Sequence, residues 1–416
     1  MGDRSLATIN PENWPFSLEL LPEPAYLVGG AVRDALLGRQ REYLDLDFVL
    51  PQAAVATASQ IAYHYDAGFV VLDAERQIAR VVFPHATVDF AQQEGEKIAI
   101  DLHRRDFTVN AIAYNPRTQE LIDPLNGCAD LELGMMRMVS EFNLQDDPLR
   151  LLRGYRQAAQ LGFTIESATR ASIIQLAHLL GSVAAERVRV EVGYLLNSSQ
   201  GTPWLIAAAE DGVLATWLPQ IKSENLTLFA AIDNAVATLE QNWPNLPQIL
   251  AGTLENTIKT SWLAIAKLAT LLSPSPQIAE TELSELKYSR AEIRAASAIH
   301  KFLPQMRSLS TNSIRDQYFF FREIGQIFPS LAVVAVANSV SIEAIAPLIN
   351  RYFNPQDPVA HPISLLSGND LMQVLNLPPS RKIGELLTEI QVACAEGKIL
   401  TKEAALKFAA QLIETN

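Results

Sequence analysis

The chain has 416 residues, of which 49% are hydrophobic and 19% are charged, and its formal net charge is −13. This composition is typical of a globular protein with a sizeable core and room for two or more domains. The acidic balance argues against a general nucleic-acid binder, because neutralising phosphates requires a basic surface, so any RNA site must be a local patch.

The first part of the chain, up to about residue 140, predicts a small mixed sheet with helices. Strands are predicted by short alternating or β-branched runs at residues 26–28, 44–50, 68–72, 78–83 and 87–90. Residues 53–63 show a helical pattern. From Asp147 onward the hydrophobic period is close to 3.6 and alanine and leucine are abundant, which predicts an all-helical remainder. Breaks at residues 242–248, 273–277 and 354–362 mark subdomain edges.

The segment "LDLDFVL" (residues 44–50) places two aspartates one residue apart. Because side chains alternate along a strand, Asp45 and Asp47 share one face, and Leu46 and Phe48 point to the other. Carboxylates in this relation can hold two Mg²⁺ ions about 3.5–4 Å apart, which stabilise the attacking and leaving oxygens of nucleotidyl transfer. Alone, the pattern is more often a solvated strand face.

The preceding segment "YLVGGAVRDALLG" (residues 26–38) adds a candidate phosphate site. Gly29 and Gly30 have no Cβ, so their backbone amides can approach a triphosphate closely. Arg33 adds a positive fork for phosphate oxygens, and Asp34 is expected to hold Arg33. A glycine pair alone is usually a turn, but together with the aspartates it indicates a metal-dependent nucleotidyl-transfer site.

The segment "DDPLRLLRGYRQAAQLGF" (residues 146–163) predicts a helix with an arginine face. Pro148 suits its first turn, and Asp146 or Asp147 is expected to cap it. A carboxylate can accept from the amine of cytosine or adenine, and a guanidinium can donate to the ring, so an Asp and Arg pair can select a base. The alternative is an ordinary salt-bridged helix. The charged residues of this segment are three residues apart: Asp147, Arg150, Arg153 and Arg156.

These motifs, with "RRDFTVNAIAYN" (residues 104–115) and "ERVRVEV" (residues 186–192), resemble the signatures of class II tRNA nucleotidyltransferases and bacterial poly(A) polymerases, which are branches of the polymerase-β superfamily. The resemblance implies an α+β fold: a polymerase-β-like nucleotidyltransferase head followed by an all-α neck, body and tail. The expected boundaries are 1–140 for the catalytic head, 141–225 for the neck with the nucleotide-selecting helices, 226–355 for the body and 356–416 for the tail. The tail, and with it the body, is expected to bind tRNA.

The resemblance also implies residue roles. Asp45, Asp47 and Arg105 are expected to be catalytic, with Asp45 and Asp47 binding Mg²⁺ and Asp89 a possible third metal ligand. Asp147 and Arg150 are expected to read the base, and Asp106 to position the ribose or an arginine. The implied nucleotide-binding residues are Gly29, Gly30, Arg33, Arg105, Asp106, Asp147, Arg150, Arg153 and Arg156.

Two departures from the family pattern are visible. The family usually has Glu-Asp where this chain has Asp146 and Asp147, although the second, base-reading carboxylate is unchanged. The connection "QREYL" (residues 40–44) is slightly longer than usual and is expected to enlarge a loop.

The interval at residues 90–103 distinguishes the products within the family. Full CCA-adding enzymes and poly(A) polymerases carry a longer flexible loop there, and its absence goes with CC-adding enzymes. We therefore predict addition of two cytidines to tRNA from CTP, with ATP a possible substrate and a separate enzyme adding the final adenosine. The alternatives are a full CCA-adding enzyme, an A-adding enzyme or a poly(A) polymerase. A non-catalytic relative is disfavoured by the two aspartates, and a small-molecule nucleotidyltransferase by the 146–163 segment and the tail.

Two groups of basic residues are candidate RNA contacts, although solvated charged faces are the simpler interpretation. The first comprises Lys287, Arg290, Arg294 and Lys301, and the second comprises Arg381, Lys382, Lys398 and Lys402.

The remaining signals concern compartment. The amino terminus lacks the apolar segment of a signal peptide and no run approaches about 18 apolar residues, which predicts a cytoplasmic protein with no membrane partner. Cys128 and Cys394 form no C-x-x-C pattern, so neither a zinc site nor a disulfide framework is indicated. None of the 6 histidines precedes an aspartate, which argues against an appended histidine–aspartate phosphohydrolase domain.

Overall fold

The structure, a computed structural model, describes residues 6–39, 43–254 and 260–415. It divides into two compact units, Met1–Thr216 and Trp217–Asn416. The enlarged loop predicted after Arg39 falls largely on residues 40–42, outside the described residues.

The first unit is built on a mixed sheet of seven strands in the order β3-β4-β5-β2-β1-β6-β7. Strands β2 and β5 pair in parallel, and the other neighbours pair antiparallel. The predicted mixed sheet is confirmed, but sequence patterns did not predict β6 and β7, because three-residue strands are too short to show a period. The strands are β1 (Tyr26–Val28), β2 (Leu44–Leu50), β3 (Gly68–Asp73), β4 (Ile78–Phe83), β5 (Ala86–Gln92), β6 (Ala113–Asn115) and β7 (Glu120–Ile122).

Nine α-helices are described in this unit, together with a two-stranded sheet of β8 (Met135–Met136) and β9 (Thr164–Ile165). The helices are α1 (Gly30–Leu36), α2 (Ala54–His64), α3 (Ile98–Leu102), α4 (Gly127–Leu133), α5 (Glu141–Asp146), α6 (Leu149–Leu161), α7 (Ser167–Leu176), α8 (Ala185–Asn197) and α9 (Gly201–Glu210).

An aromatic cluster fills the core beneath the central strands. Phe48 of β2 stacks on Phe90 of β5 with their ring centroids 5.5 Å apart. Trp14 and Phe16, from the chain before β1, complete the cluster: Trp14 lies 4.9 Å from Phe48, and Phe16 lies 6.0 Å from Phe90. The inward face of β2 and β5 therefore rests on residues that precede the sheet in sequence.

The second unit is helical throughout its described residues, as the 3.6-residue period predicted. Leu366, Leu371, Ile390 and Ala405 belong to a buried apolar cluster of its last three helices. The helices are α10 (Ser223–Glu240), α11 (Leu246–Ala251), α12 (Trp262–Leu271), α13 (Pro276–Glu285), α14 (Arg290–Phe302), α15 (Ile314–Ile324), α16 (Phe328–Ala337), α17 (Ile342–Phe353), α18 (Gly368–Val374), α19 (Arg381–Ala395) and α20 (Lys402–Thr415).

One stretch of the described chain, Ile314–Ala337, is long and apolar enough to cross a membrane by length and composition alone, with a mean hydropathy of 1.4. It is not an uninterrupted apolar run, because Arg322 and Glu323 lie within it. Its most apolar window is 61% buried inside the protein, and Phe321 and Phe328 are almost fully buried. Such burial is typical of a core helix.

A half-buried histidine on α14, His300, makes the stability of the second unit pH-dependent. Burial lowers the pKa of His300 to about 4, although a backbone hydrogen bond at Ala269 opposes the shift. Its Nε2 has no hydrogen-bond partner among the described residues. A lowered folded pKa means that the unfolded chain takes up a proton first, so stability is complete above pH 6.5 and is lost as pH falls towards 4.

We expect the free energy of unfolding of the second unit to fall by roughly 2 kcal/mol between pH 7 and pH 4 through this residue. His300→Gln should flatten that part of the acid limb in urea titrations followed by circular dichroism. His178→Gln, which changes an exposed histidine, is the control and should leave the limb intact. An unchanged slope in the His300 variant would contradict the assignment.

Candidate active site

The two aspartates of β2 lie on the sheet face opposite the aromatic core. Leu46 and Phe48 are each 1% exposed on the core side, whereas Asp45 is exposed and Asp47 half-buried on the other side. This confirms the alternation predicted for the strand. Burial raises the pKa of Asp47 to about 6, with Arg105 opposing the rise and Asp45 adding to it.

Gly29 immediately precedes α1 and lies directly against the Asp47 carboxylate. Its φ of 73° is a conformation that favours glycine. A Cβ at this position would lie 3.2 Å from Arg105 Nη1 and 3.4 Å from Asp47 Oδ2. The close approach of backbone, guanidinium and carboxylate therefore depends on the missing side chain.

Arg105 lies in the wall between two adjoining cavities. The larger, of about 690 Å³, is lined by Gly29, Asp45 and Asp47, and the smaller, of about 290 Å³, is lined by Asp147. Arg105 contributes to both, and its Nε is buried without a partner among the described residues. An orphaned guanidinium nitrogen beside a glycine backbone suits an anionic ligand such as a triphosphate.

Arg33 is buried in a hydrogen-bonded network below the larger cavity. Its Nε donates to Asp34 Oδ1 at 2.9 Å, as predicted, and its Nη1 donates to Asn110 Oδ1 at 2.7 Å and Gln157 Oε1 at 3.3 Å. Protein acceptors thus hold this guanidinium, and Arg33 lines the cavity as a fixed positive charge.

Asp106 is the centre of the same network. Its carboxylate pairs with Arg153 Nη2 at 2.9 Å and accepts from Asn110 Nδ2 at 2.8 Å and from the Phe107 N–H at 2.8 Å. Burial acts to raise the pKa of Asp106, but Arg153 and the two hydrogen bonds outweigh it and hold the pKa well below its usual range. The expectation that Asp106 positions an arginine agrees with this pair.

We expect Asp106→Ala to lower the free energy of unfolding by roughly 2–4 kcal/mol at pH 7, because it leaves buried donors without their acceptor. Since the folded pKa is lowered, this contribution is present above about pH 4 and is lost in acid. Urea unfolding of the wild type and variant measures it. Asp101→Asn is the control: burial raises the pKa of that carboxyl, so neutralising it should cost little, and the asparagine oxygen can still accept from the Glu94 N–H. An equal loss in both variants would contradict the assignment.

The start of α6 differs from the prediction. Helix α5 ends at Asp146, Asp147 is extended with φ −131° and ψ 92°, and Pro148 immediately precedes Leu149 without a side-chain cap. The predicted cap by Asp146 or Asp147 is therefore wrong. The Asp147 carboxylate instead pairs with Arg187 Nη2 of α8 at 3.0 Å.

The base-reading candidates line the smaller cavity. Arg150 Nη1 donates to the backbone oxygens of Arg104 at 2.8 Å and Asn143 at 3.0 Å, which fixes its guanidinium at the cavity wall beside Asp147. Both Asp147 and Arg150 line this cavity, so the pair is placed where a base could be bound. Leu152 and Tyr155 are fully buried on the other side of α6, as predicted.

Arg156 lies further along α6 and joins it to α8. It pairs with Glu191, donates from Nη1 to Gln160 at 2.7 Å, and lies 5.7 Å from the Tyr194 ring. It lines the larger cavity at a position distinct from the base-reading pair. The motif "ERVRVEV" thus supplies Arg187 and Glu191 as partners of two predicted site residues.

The third acidic candidate, Asp89, is paired with Arg80. Asp89 faces Asp47 in the parallel register of β2 and β5, but its two oxygens accept from Arg80 at 2.7 and 2.8 Å. Within the described residues no group of three or more His, Cys, Asp or Glu could hold a metal ion. Asp45 and Asp47 fit Mg²⁺ as a two-carboxylate set, since Mg²⁺ commonly takes one or two carboxylates with phosphate oxygens and waters.

The basic groups of the second unit are partly neutralised. Lys301 pairs with Glu323, Lys398 with Glu396 at 2.6 Å, and Lys402 with Asp370 at 2.6 Å. Arg381 pairs with Glu385 at 3.3 Å. These pairs match the interpretation of solvated charged faces for several members. The two cysteines are both free.

Several residues of the site were not identified from the sequence. Asn110 lies four residues after Asp106 and Gln157 four residues after Arg153, but the contact between Asn110 and Gln157 joins segments far apart in the chain. The pairing of Arg80 with Asp89, by contrast, could have been predicted from the sequence. A hairpin turning at residues 84–85 pairs positions 80 and 89, which puts opposite charges on one face.

Comparison with known proteins identifies the family. The Poly A polymerase head domain matches residues 25–137, the putative tRNA nucleotidyltransferase domain 2 matches 256–409, and the probable RNA- and SrmB-binding site of polymerase A matches 162–225. A CC-adding tRNA nucleotidyltransferase of Synechocystis sp. is 50% identical over 96% of this chain and 96% of its own length.

Two further comparisons agree. An A-adding tRNA nucleotidyltransferase of Deinococcus radiodurans is 30% identical over 93% of this chain and 95% of its own length. A solved structure of a CCA-adding enzyme with CTP has the same fold, with a TM-score of 0.73 and 22% identity over 94% of this chain and 91% of that one. The chain therefore belongs to the class II tRNA nucleotidyltransferase family, as its sequence motifs indicated.

Proposed function

We propose that this protein adds two cytidines to the 3′ end of tRNA that lacks its CCA terminus, using CTP and Mg²⁺ and releasing pyrophosphate. The single observation that carries the CC product is the short, tethered connection between β5 and the segment "RRDFTVNAIAYN" (residues 104–115). The Gln93 N–H donates to the Leu50 oxygen at 2.7 Å, the Glu94 N–H donates to Asp101 Oδ1 at 3.1 Å, and Glu94 pairs with Arg104.

This connection contributes to the smaller cavity through Gln92, Glu94 and Asp101. A tethered segment cannot re-form the cavity around a second base as a long mobile loop would. The name of the relative at 50% identity supports the same product. The competing products are a full CCA end, a single adenosine and a poly(A) tail.

The proposed mechanism is in-line attack of the tRNA 3′-hydroxyl on the α-phosphate of CTP. Asp45 and Asp47 would hold two Mg²⁺ ions, which when bound activate the hydroxyl and stabilise the leaving pyrophosphate. Gly29 and Gly30 admit the triphosphate close to the backbone, and Arg105 donates to its oxygens from between the cavities.

Base selection is assigned to the smaller cavity. Asp147 accepts from the exocyclic amine of cytosine, and Arg150 donates to the ring nitrogen and O2. The anchoring of Arg150 by two backbone oxygens, and of Asp147 by Arg187, holds these groups in place before the base arrives.

The proposed RNA partner is the tRNA acceptor stem and elbow, which the helical second unit would recognise by shape and backbone. We also propose that residues 1–140 form the catalytic head, 141–225 the neck, 226–355 the body and 356–416 the tail. The terminal adenosine would come from a separate A-adding enzyme, and the reaction would take place in the cytoplasm.

The test is incubation of the purified protein with Mg²⁺ and a tRNA transcript lacking CCA, with CTP, ATP or both, followed by a sequencing gel. Two cytidines that stay two in the presence of ATP would support the proposal. A following adenosine would identify a full CCA-adding enzyme. Adenosine added only to tRNA already ending in CC would identify an A-adding enzyme, and an A-tail on any RNA would identify a poly(A) polymerase.

A further inference from the structure

Three adjacent strands carry a row of charged residues across the catalytic face of the sheet. Asp47 on β2 is directly paired in register with Asp89 on β5, and Asp89 is paired in turn with Arg80 on β4. Phe48 and Phe90, one residue on, point into the core, so the three charged side chains share the opposite face. Neighbouring strands lie about 4.8 Å apart, so Asp89 is within reach of an ion held by Asp47.

The Asp89 carboxylate is nevertheless bound elsewhere. Arg80 Nε donates to Oδ1 at 2.7 Å and Arg80 Nη2 donates to Oδ2 at 2.8 Å, so both oxygens are held by one guanidinium fork. The Asp89 side chain is 19% exposed and the Arg80 side chain 41%. A bidentate pair of this kind fixes the rotamer of the carboxylate as well as neutralising it.

We propose that Arg80 is a positioning residue that withholds Asp89 from the metal site, so that the nucleotidyl-transfer centre works with the two carboxylates of Asp45 and Asp47. This inference rests on the proposed Mg²⁺-dependent function. Ligation by Asp89 would compete with the Arg80 fork for the same two oxygens and would bring a divalent cation close to the Arg80 guanidinium, which repels it. Substrate phosphates and water would then fill the remaining coordination positions of the ions.

The pair also sets the charge of the face. With Arg80 in place, Asp89 is neutralised and the row attracts cations through Asp45 and Asp47 alone. Without Arg80, three carboxylates lie on neighbouring positions, and Asp89 is released to become a third ligand. Without Asp89, the Arg80 charge remains beside the metal site and repels cations. The two single substitutions therefore act on metal affinity in opposite directions.

The experiment measures binding of Mn²⁺ to the full chain by electron paramagnetic resonance, with a CTP analogue whose α–β bridge is methylene. Arg80→Met is expected to tighten Mn²⁺ binding about 10-fold, and Asp89→Asn to weaken it by less than about 10-fold. The double variant should return close to the wild type. Arg80→Lys, which keeps the charge but lacks the fork, should fall between the wild type and Arg80→Met.

Three results would overturn the inference. If Asp89→Asn abolishes Mn²⁺ binding as completely as Asp47→Asn, then Asp89 is itself a ligand. If Arg80→Met leaves Mn²⁺ affinity unchanged, the pair has only a structural role. Arg170→Met removes another bidentate pair, with Asp211 at 2.7 and 2.9 Å, and should not change Mn²⁺ affinity. A change equal to that of Arg80→Met would likewise overturn the inference.

Thermal unfolding of each variant separates loss of the fold from loss of binding. The wild type and variants are also assayed for cytidine addition to tRNA. If the wild type adds no cytidine but the Mn²⁺ pattern holds, the proposed function fails and the role of Arg80 stands. If cytidines are added but the pattern is absent, the role of Arg80 fails alone.

Discussion

Asp47→Asn is expected to abolish nucleotidyl transfer while making the metal-free protein more stable. If Asp47 is a metal ligand, as proposed, its removal takes away several kcal/mol of transition-state stabilisation, so we expect kcat/KM for CTP to fall at least about 10³-fold. The stability gain follows from the raised pKa of about 6, since holding this carboxylate ionised costs free energy at neutral pH.

The sign of the stability effect is fixed by linkage. A carboxyl whose folded pKa lies above its unfolded value of 3.8 stabilises the fold below that value, and this stability is lost as pH rises through about 6. At pH 7 the asparagine variant should therefore gain roughly 1–2 kcal/mol, less than the full linkage value because Asp47 is only half-buried. Near pH 4 the two proteins should converge. Urea unfolding with EDTA at both pH values measures the difference.

Asp45→Asn is the matched control, because it removes the other carboxylate of the pair from an exposed position. It should lose activity to a similar extent without a comparable gain in stability. An Asp47→Asn variant that keeps a tenth of the wild-type activity would rule out the metal-binding role. A variant that is inactive and also less stable at pH 7 would show that keeping Asp47 ionised does not destabilise the fold.

Arg150→Ala is expected to reduce the selection of CTP over UTP about 10- to 100-fold, because one bidentate base contact discriminates by about 1–3 kcal/mol. The backbone oxygens of Arg104 and Asn143 hold this guanidinium in the smaller cavity, so no neighbouring arginine can replace it without rearrangement. Single-nucleotide incorporation from CTP and from UTP on the same tRNA gives the ratio.

Arg187→Ala tests Asp147, the other half of the proposed base-reading pair, indirectly. It removes the partner of Asp147 but leaves the carboxylate, so we expect a loss of selectivity below about 10-fold. If Arg150→Ala slows CTP and UTP equally, Arg150 binds the phosphates and does not read the base. If Arg187→Ala lowers the ratio more than Arg150→Ala does, Asp147 contributes more to base selection than Arg150.

Strand alternation and helical periodicity were sufficient to predict much of the fold. Strand β2 and its two faces follow from "LDLDFVL" alone, and α6 follows from the apolar residues between its arginines. The failures are local. The predicted cap on α6 is wrong because Asp147 has a competing partner in Arg187, which lies 40 residues away in sequence. Propensity rules cannot register such a partner.

The candidate site divides along similar lines. The arginines and aspartates were recognisable because their spacing carries chemistry. Asn110 and Gln157 carry no such signal, and their contact across 47 residues exists only in the fold. The pair of Arg80 and Asp89 is intermediate, since hairpin register predicts it once the turn is placed.

The aromatic support beneath the catalytic strands has a consequence for cutting the protein into fragments. The matched head domain begins at residue 25, but Trp14 and Phe16 lie before that boundary and pack against Phe48 and Phe90. A fragment trimmed to the domain match would open a large cavity directly under the strands that carry Asp47 and Asp89. Isolated catalytic heads of this protein should therefore be expressed with the preceding residues attached.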